Sequence, residues 1–374
     1  MLENFKIDKK LLKNLDRSII VITLLISIIG VISIFSANQS VNSTSISYSD
    51  AIKQIAWIAV SVIICYFVLS VDYSFIANLS YAIYWLGIVS QIYALFCKKV
   101  NGANNWAKFG PFGFEPGEFI RVGLILVIAR KLQDMDGEIN KPKNFITLAI
   151  YSVIPMLLLL KASDMGLTII CFFIVFGMFF IAKLNLKVIA AGIAALVILG
   201  AAAWNLGFIQ GYQKIRIESF LNPNTKINQI KYAYQANTAQ IAIGSGGDLG
   251  TGFLKGTQSK SVPENQTDFV FCVLGEEWGF FGTGILLLLY VVLIIRFFAI
   301  SRKARDLMGS LICVGIISSF LFSIYENIGM NIHLMPVTGI TLPLVSYGGS
   351  SIISNYITVA LILNVGMRSK KINF

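Results

Sequence analysis

Residues 19–37 read IIVITLLISIIGVISIFSA, without a single charged side chain. They follow a basic stretch that holds Lys9, Lys10, Lys13 and Arg17. A helix rises 1.5 Å per residue, so roughly 20 apolar residues cross a bilayer core, and this segment is long enough to span. The apolar region of a cleaved leader is shorter, about 7–15 residues, so the segment reads as a retained anchor.

The rest of the chain repeats this pattern. Of its 374 residues 56% are hydrophobic and 13% charged, where a soluble domain carries about a quarter charged. Mean hydropathy is +0.74. These values exclude soluble globular, fibrous and disordered classes, and they fill about ten spans. Apolar runs place them near 19–37, 54–71, 73–96, 117–132, 145–161, 164–183, 187–205, 268–297, 308–330 and 343–367. The predicted fold class is all-α, a polytopic membrane protein whose residues 1–374 form a single integral membrane domain.

The net charge of +11 and pI near 9.3 report topology and anionic lipid headgroups in such a protein, so nucleic acid is not an expected partner. With the amino terminus inside, the cytoplasmic connections hold Lys6, Lys9, Lys10, Lys13 and Arg17, then Arg130, Lys131, Lys141 and Lys143. Lys183, Lys187, Arg296, Arg302, Lys303, Arg305, Arg368, Lys370 and Lys371 follow on the same side. The short outer loops hold chiefly Lys98, Lys99 and Lys108. Both termini are therefore expected in the cytoplasm.

One long extracytoplasmic loop, about 206–267, interrupts the spans. It contains Pro223, Pro263, a glycine run (Gly244, Gly246, Gly247, Gly250, Gly252) and the cations Lys214, Arg216, Lys226, Lys231, Lys255 and Lys260. Structureless loops of that length are usually functional or disordered. Ile227–Ile243 mixes polar and apolar residues and predicts an amphipathic helix on the membrane surface. The absence of an internal repeat counts against inverted-repeat transporters. The five cysteines are odd in number and unpaired in spacing, so they read as packing residues; His333 is the sole histidine, which excludes His-based metal sites and Ser-His triads.

Ionisable residues beside apolar spans are functional candidates by default. They are Glu118 and Arg121, Asp164, Asp268, Glu276, Glu277 and Glu326. Asp268 opens the eighth span after Pro263-Glu264-Asn265-Gln266-Thr267. It reads either as a carboxylate favoured by the helix dipole or as a half-desolvated base. Glu118 and Arg121 share a helical face and suit a structural ion pair. Pro116 starts that helix. Trp106, among Asn101, Gly102, Asn104 and Asn105, fits an interfacial belt or a site residue. Glu276 and Glu277 diverge by about 100° and cannot serve one ligand, Glu276 being the structural hydrogen-bonding residue. Asp164 reads as a packing or capping residue. Arg216 and Lys231 are either phosphate contacts or solvated loop cations. Ser346-Tyr347-Gly348-Gly349-Ser350-Ser351 permits close backbone approach to a helix or a ligand.

Taken in order, Gly244-Ser245-Gly246-Gly247, Gly256-Thr257-Gln258-Ser259, Pro263-Glu264, Thr267-Asp268-Phe269, Asn327-Ile328-Gly329-Met330, Pro336-Val337-Thr338-Gly339 and Ser346-Tyr347-Gly348-Gly349-Ser350-Ser351 resemble the SEDS family (shape, elongation, division and sporulation). Phe220-Leu221-Asn222-Pro223, Asn105-Trp106 and Pro116-x-Glu118 also fit, and the likeness covers nearly the whole chain, with short termini like those of the RodA branch. The resemblance implies ten spans and a peptidoglycan glycosyltransferase of the bacterial cytoplasmic membrane. Such an enzyme polymerises lipid II at the outer face, with a class B penicillin-binding protein as partner and membrane lipids around it. Asp268 matches the family's essential acid and would be the general base; Trp106 matches its outer-loop tryptophan. The implied substrate-binding set is Trp106, Glu118, Arg121, Arg216, Lys231, Gln258, Ser259, Glu264, Thr267, Ser346, Tyr347 and Ser350. No cofactor is specified; departing undecaprenyl pyrophosphate needs Arg216, Lys231, Arg121 or a divalent cation such as Mg²⁺ or Mn²⁺.

The sequence departs from the family pattern at several places. The usual Gln-Pro-Ser-Glu-…-Lys reads Glu115-Pro116-Gly117-Glu118-…-Arg121, and Pro-Asp-Leu-Gly reads Ser163-Asp164-Met165-Gly166. Gln266 replaces a frequent His, and His333 occupies a position that is usually small. The competing reading is a lipid II flippase or other transporter that uses Glu118, Asp164 and Glu326 as an intramembrane relay; a third is a non-catalytic scaffold.

Overall fold

The computed structural model describes residues 9–39, 47–100, 102–109, 112–205, 212–221 and 232–369. Every candidate span is met by a helix. After a short α1 (Lys9–Leu12), α2 (Arg17–Ala37) begins at Asp16, whose carboxylate accepts from the Ser18 and Ile19 backbone N–H groups. Then come α3 (Ser49–Ser70), α4 (Tyr73–Asn78) and α5 (Ser80–Leu95). A two-stranded hairpin, β1 (Ala107–Phe109) and β2 (Phe112–Phe114), pairs Ala107 with Phe114. It leads into α6 (Pro116–Asp134), α7 (Pro142–Lys161), α8 (Met165–Ile181) and α9 (Leu186–Asn205). The long loop holds α10 (Tyr212–Leu221) and α11 (Tyr232–Ser245), and α12 (Val270–Ser301), α13 (Leu307–Asn331) and α14 (Gly349–Met367) follow.

Among the described residues, six helices (α2, α3, α7, α12, α13 and α14) are long and apolar enough to cross a membrane. Three expectations need correction. The 73–96 run breaks at Leu79 into α4 and α5. The last span begins at Gly349, because residues 343–348 form a turn. The helix expected at Ile227–Ile243 is α11, which turns Ala236, Ala239 and Ala242 onto Cys272 and Val273 of α12. Its small-residue face buries against protein, so it is not simply a surface helix; residues 227–231 lie outside the described ones.

Helices α6, α13 and α14 are buried on nearly every face, and the outer helices turn Leu24, Ile28, Leu86, Val89, Ile150 and Leu157 outward. Ion pairs gather one end of the bundle. Arg305 Nη2 lies 3.0 Å from Asp72 Oδ1 and Arg368 Nε 3.5 Å from Asp72 Oδ2. Arg296 Nε donates to Asp16 at 3.1 Å. These contacts bring together the start of α2, the α3–α4 and α12–α13 turns, and the end of α14. Helices α12 and α14 start at the far end, where α6 also begins and α13 finishes.

The glycine run has a structural reason. At Gly279 (φ 65°, ψ −163°) the α12 ladder opens, and the 247–252 segment wedges into it. The Glu276 and Glu277 carbonyls accept from Thr251 and Gly252 N–H at 2.9 and 3.1 Å. Phe280 and Phe281 N–H donate to the Gly247 and Asp248 carbonyls at 2.9 and 3.1 Å. These four bonds give the opened helix backbone new partners, which lowers the cost of the kink. A Cβ on Gly279 would overlap the Gly250 nitrogen and the Asp248 carbonyl. Gly279→Ala is expected to destabilise the protein by about 1–3 kcal/mol through left-handed strain alone, read as an earlier thermal transition in detergent; an unchanged transition would contradict the wedge.

Candidate active site

The starts of α6, α8, α12 and α14 enclose, with the α13–α14 connection, a cavity of about 1280 Å³ at the end away from the ion pairs. Asp268 lies on its wall, half-buried. Its backbone carbonyl accepts from Asn327 Nδ2 at 2.8 Å and Asn331 Nδ2 at 3.2 Å, both on α13. Asn327 Nδ2 also donates to the Ile340 carbonyl at 2.7 Å. The preceding turn is closed by the Glu264 carbonyl, which accepts from Thr267 and Phe269 N–H, each at 3.1 Å. Ser346 Oγ donates to the Thr267 carbonyl at 2.6 Å, and Tyr347 N–H donates to the Gln266 carbonyl at 2.9 Å. The end of α13 and two turns therefore fix the backbone that carries the carboxylate.

Opposite Asp268 stands Arg216 of α10, whose Nη1 donates to the Thr338 carbonyl at 2.7 Å. Gly339 lies where the two side chains converge. A Cβ there would be 3.3 Å from Asp268 Oδ2 and 3.8 Å from Arg216 Nη2, and φ is +83°. Burial pushes the Asp268 carboxyl up to about 7; Glu264 and Asp164 push it the same way and Arg216 opposes them. Asp164 caps α8, accepting from Leu167 N–H at 3.0 Å, while its Oδ2 is buried without a hydrogen-bond partner. Burial raises it to about 6. Glu115 is raised well above the usual carboxylate range by burial and then by Asp164, Glu118 and Asp268. It accepts from Asn105 Nδ2 at 2.6 Å, and its backbone N–H donates to Ser350 Oγ at 3.0 Å.

Glu118 and Arg121 form the expected ion pair, 2.7 Å apart and 4% and 3% exposed. Arg121 also donates to Ser354 Oγ at 2.7 Å, Asn355 Oδ1 at 2.8 Å and Ser319 Oγ at 3.3 Å, while Ser354 Oγ donates to Glu118 at 2.7 Å. The pair ties α6 to α13 and α14, and both residues border the cavity.

Of the residues picked out in the sequence, Asp268, Trp106, Glu118, Arg121, Arg216, Glu264, Thr267, Tyr347 and Ser350 line this one cavity. Trp106 sits in the turn before β1, 3.4 Å from where a Cβ on Gly113 would be. Gln258, Ser259 and Ser346 are not on the cavity wall. Gln258 N–H and Thr257 N–H donate to Glu276 Oε1, each at 2.8 Å, and Ser259 N–H to Oε2 at 2.7 Å. That motif is a carboxylate cradle, which leaves Glu276 structural as its sequence reading holds, while Glu277 turns away to Ser36. Ser346 braces the Asp268 turn from behind. Lys231 lies outside the described residues. Glu326 is sealed in the protein, accepting from Thr338 Oγ1 at 2.9 Å.

Glu115, Asp164 and Asn105, which the sequence reading leaves outside the substrate-binding set, line the same cavity. Asp164 looks like an ordinary helix cap in sequence; only the fold sets it across from Asp268. Among the described residues, no group of three or more His, Cys, Asp or Glu side chains is arranged to hold a metal ion. All five cysteines are free.

A family model described as "Cell cycle protein", named for FtsW, RodA and SpoVE, matches residues 16–371. Peptidoglycan glycosyltransferase RodA of Treponema pallidum is 28% identical, over 94% of this chain and 98% of its own. Stage V sporulation protein E of Bacillus subtilis is 32% identical, over 95% and 98%. A solved chain from a peptidoglycan synthase complex that coordinates polymerization and crosslinking superposes with a TM-score of 0.79 at 27% identity, covering 94% of this chain and 97% of its own. Crystalline RodA of Thermus thermophilus gives 0.70 at 25% identity over 94% and 96%. An all-α bundle, a cavity walled by the family's motifs and a match along almost the full length agree: the chain belongs to the SEDS family of polytopic membrane proteins.

Proposed function

We infer that this chain is a peptidoglycan glycosyltransferase that polymerises lipid II at the outer face of the bacterial cytoplasmic membrane. The observation that carries the reading is Asp268, a carboxylate held by its backbone on the wall of a large cavity, beside Arg216 and at the end of the bundle away from the basic connections. Both termini then lie in the cytoplasm. The partner is a class B penicillin-binding protein that cross-links the strands, in keeping with the synthase complex to which the chain is similar.

The acceptor is a sugar hydroxyl, poorly nucleophilic at neutral pH. Asp268 takes its proton as the hydroxyl oxygen attacks the donor's anomeric carbon, and the carbon–oxygen bond to undecaprenyl pyrophosphate breaks with inversion from α to β. A base with a pKa near 7 is half deprotonated at neutral pH and still basic enough to accept a proton. Negative charge grows on the departing pyrophosphate, and Arg216 is the cation placed to meet it, with Arg121 behind Glu118 deeper in the wall. A divalent cation would supply further charge stabilisation, but the described carboxylates do not form a cage for one. Apolar residues on the membrane side of the cavity, among them Trp57, Ile83 and Leu86, suit polyprenyl chains.

The test is incubation of the purified chain, with its co-purified penicillin-binding partner, with lipid II and detection of glycan polymer. Polymer supports the inference. No polymer from a folded complex, with lipid II translocation in liposomes instead, would replace it with the transporter reading. The pH profile adds a sharper check. Only deprotonated Asp268 accepts the proton, so kcat/KM should climb about tenfold per pH unit below roughly 7 and level off above it. Arg216→Ala removes a charge that lowers this pKa, so the limb should move to higher pH. A profile flat from pH 5 to 8 would exclude Asp268 as the titrating base.

A further inference from the structure

His333 is the chain's sole histidine, and the polymerisation chemistry makes no use of it. It follows Ile332, the C-cap of α13, and its backbone adopts φ 61°. This is the position just past a helix where glycine is the usual residue, because a Cβ is strained there. The helix end is closed around it: His333 N–H donates to the Met330 carbonyl at 3.4 Å and Leu334 N–H to the Gly329 carbonyl at 2.7 Å. A side chain retained at a strained position calls for a contact that offsets the strain, and the His333 ring has one. It packs on Phe220 of α10, ring centroids 5.9 Å apart and inclined at 46°. Arg216, Phe220, His333, Met335 and Pro336 line one small crevice where α10 lies on the 333–337 strip.

Phe220 and Arg216 are four residues apart and share one face of α10. That face has two attachments to a single strip of chain: Phe220 on His333, and Arg216 on the Thr338 carbonyl, next to the point where Arg216 and Asp268 converge on Gly339. We propose that His333 is a positioning residue, its ring seating Phe220 so that α10 holds the Arg216 guanidinium over Asp268. The proposal rests on the polymerase reading for its catalytic consequence and on α10 geometry alone for its structural one. Among the described residues, the charged groups facing Asp268 are Glu264 from its own turn, Arg216 from α10, Asp164 from the start of α8 and Glu115 from the start of α6. Of these only Arg216 is carried by α10, so loosening α10 should shift Asp268 in the direction that removing Arg216 does.

His333→Gly separates the ring from the backbone, because glycine suits the left-handed position better than histidine and leaves the helix end intact. In the lipid II assay it should lower kcat/KM by about 10- to 100-fold, as a small misplacement of a positioning group does. It should also move the pH limb upward like Arg216→Ala, and cause no further loss in an Arg216→Ala background. His333→Phe, which keeps a ring on Phe220, should restore most of the activity. Hydrogen exchange over residues 212–221 should accelerate in His333→Gly and in Phe220→Ala, a readout that needs no catalysis. Wild-type rate and an unmoved limb in His333→Gly, or unchanged exchange in α10, would overturn the proposal. If the wild type makes no polymer, the polymerase reading falls, and the exchange experiment alone decides whether His333 holds α10.

Discussion

Asp268→Asn is expected to lower lipid II polymerisation by about 10²–10⁴-fold, the usual contribution of a positioned general base. The substitution is close to isosteric, and the hydrogen bonds that hold residue 268 run to its backbone carbonyl from Asn327 and Asn331, so they survive it. The variant should therefore fold, insert and unfold thermally like the wild type. It also removes a carboxyl that burial holds near 7, so residual activity should lose the limb at that pH. Polymer at the wild-type rate from a preparation free of other synthases would move the base elsewhere in the cavity, with Asp164 the next carboxyl to test.

Arg121→Ala should act on stability rather than chemistry alone. The guanidinium is 3% exposed and bonded to Glu118, Ser354, Asn355 and Ser319. Removing it leaves Glu118 buried without its counter-ion, and breaking a buried pair in this way costs about 3–5 kcal/mol. A marked fall in the thermal transition of detergent-solubilised protein is the expected result. Loss of both charges should be milder than loss of one, so Glu118→Gln combined with Arg121→Met should recover part of the deficit. Arg121→Lys keeps the charge but not the planar fork that reaches two helices at once, and should fall between. A wild-type transition for Arg121→Ala, together with weakened substrate binding, would make residue 121 a ligand contact rather than a strut.

Glu118 and Arg121 show why site residues are harder to read than spans. Their spacing predicts a pair, and the pair forms; that it also borders the cavity depended on how α6 packs on α13 and α14, which supply Ser319, Ser354 and Asn355 from far along the chain. Gln258 and Ser259 went the other way. Their motif resembles a ligand loop, yet it spends its backbone N–H groups on the Glu276 carboxylate, a partner on the next helix. Asp164 carried a local signature, helix capping, that concealed its place across from Asp268.

The chain's apolar runs determined the helices and, through their length, the membrane as solvent. Each run is a local property: a peptide in hydrocarbon must satisfy its own N–H and C=O groups, so a long apolar stretch has little choice but helix. The distribution of Lys and Arg between connections, also legible in one dimension, set the expected orientation. Only the tertiary structure decided which polar residues share the cavity. Asp268, Arg216, Asp164 and Glu115 come from four separated segments, and the separation between their carboxyls and guanidinium is fixed by how α6, α8, α10 and α12 pack. Burial and mutual charge, which raise Asp268 toward 7, fall off over a few ångströms and have no counterpart in sequence spacing.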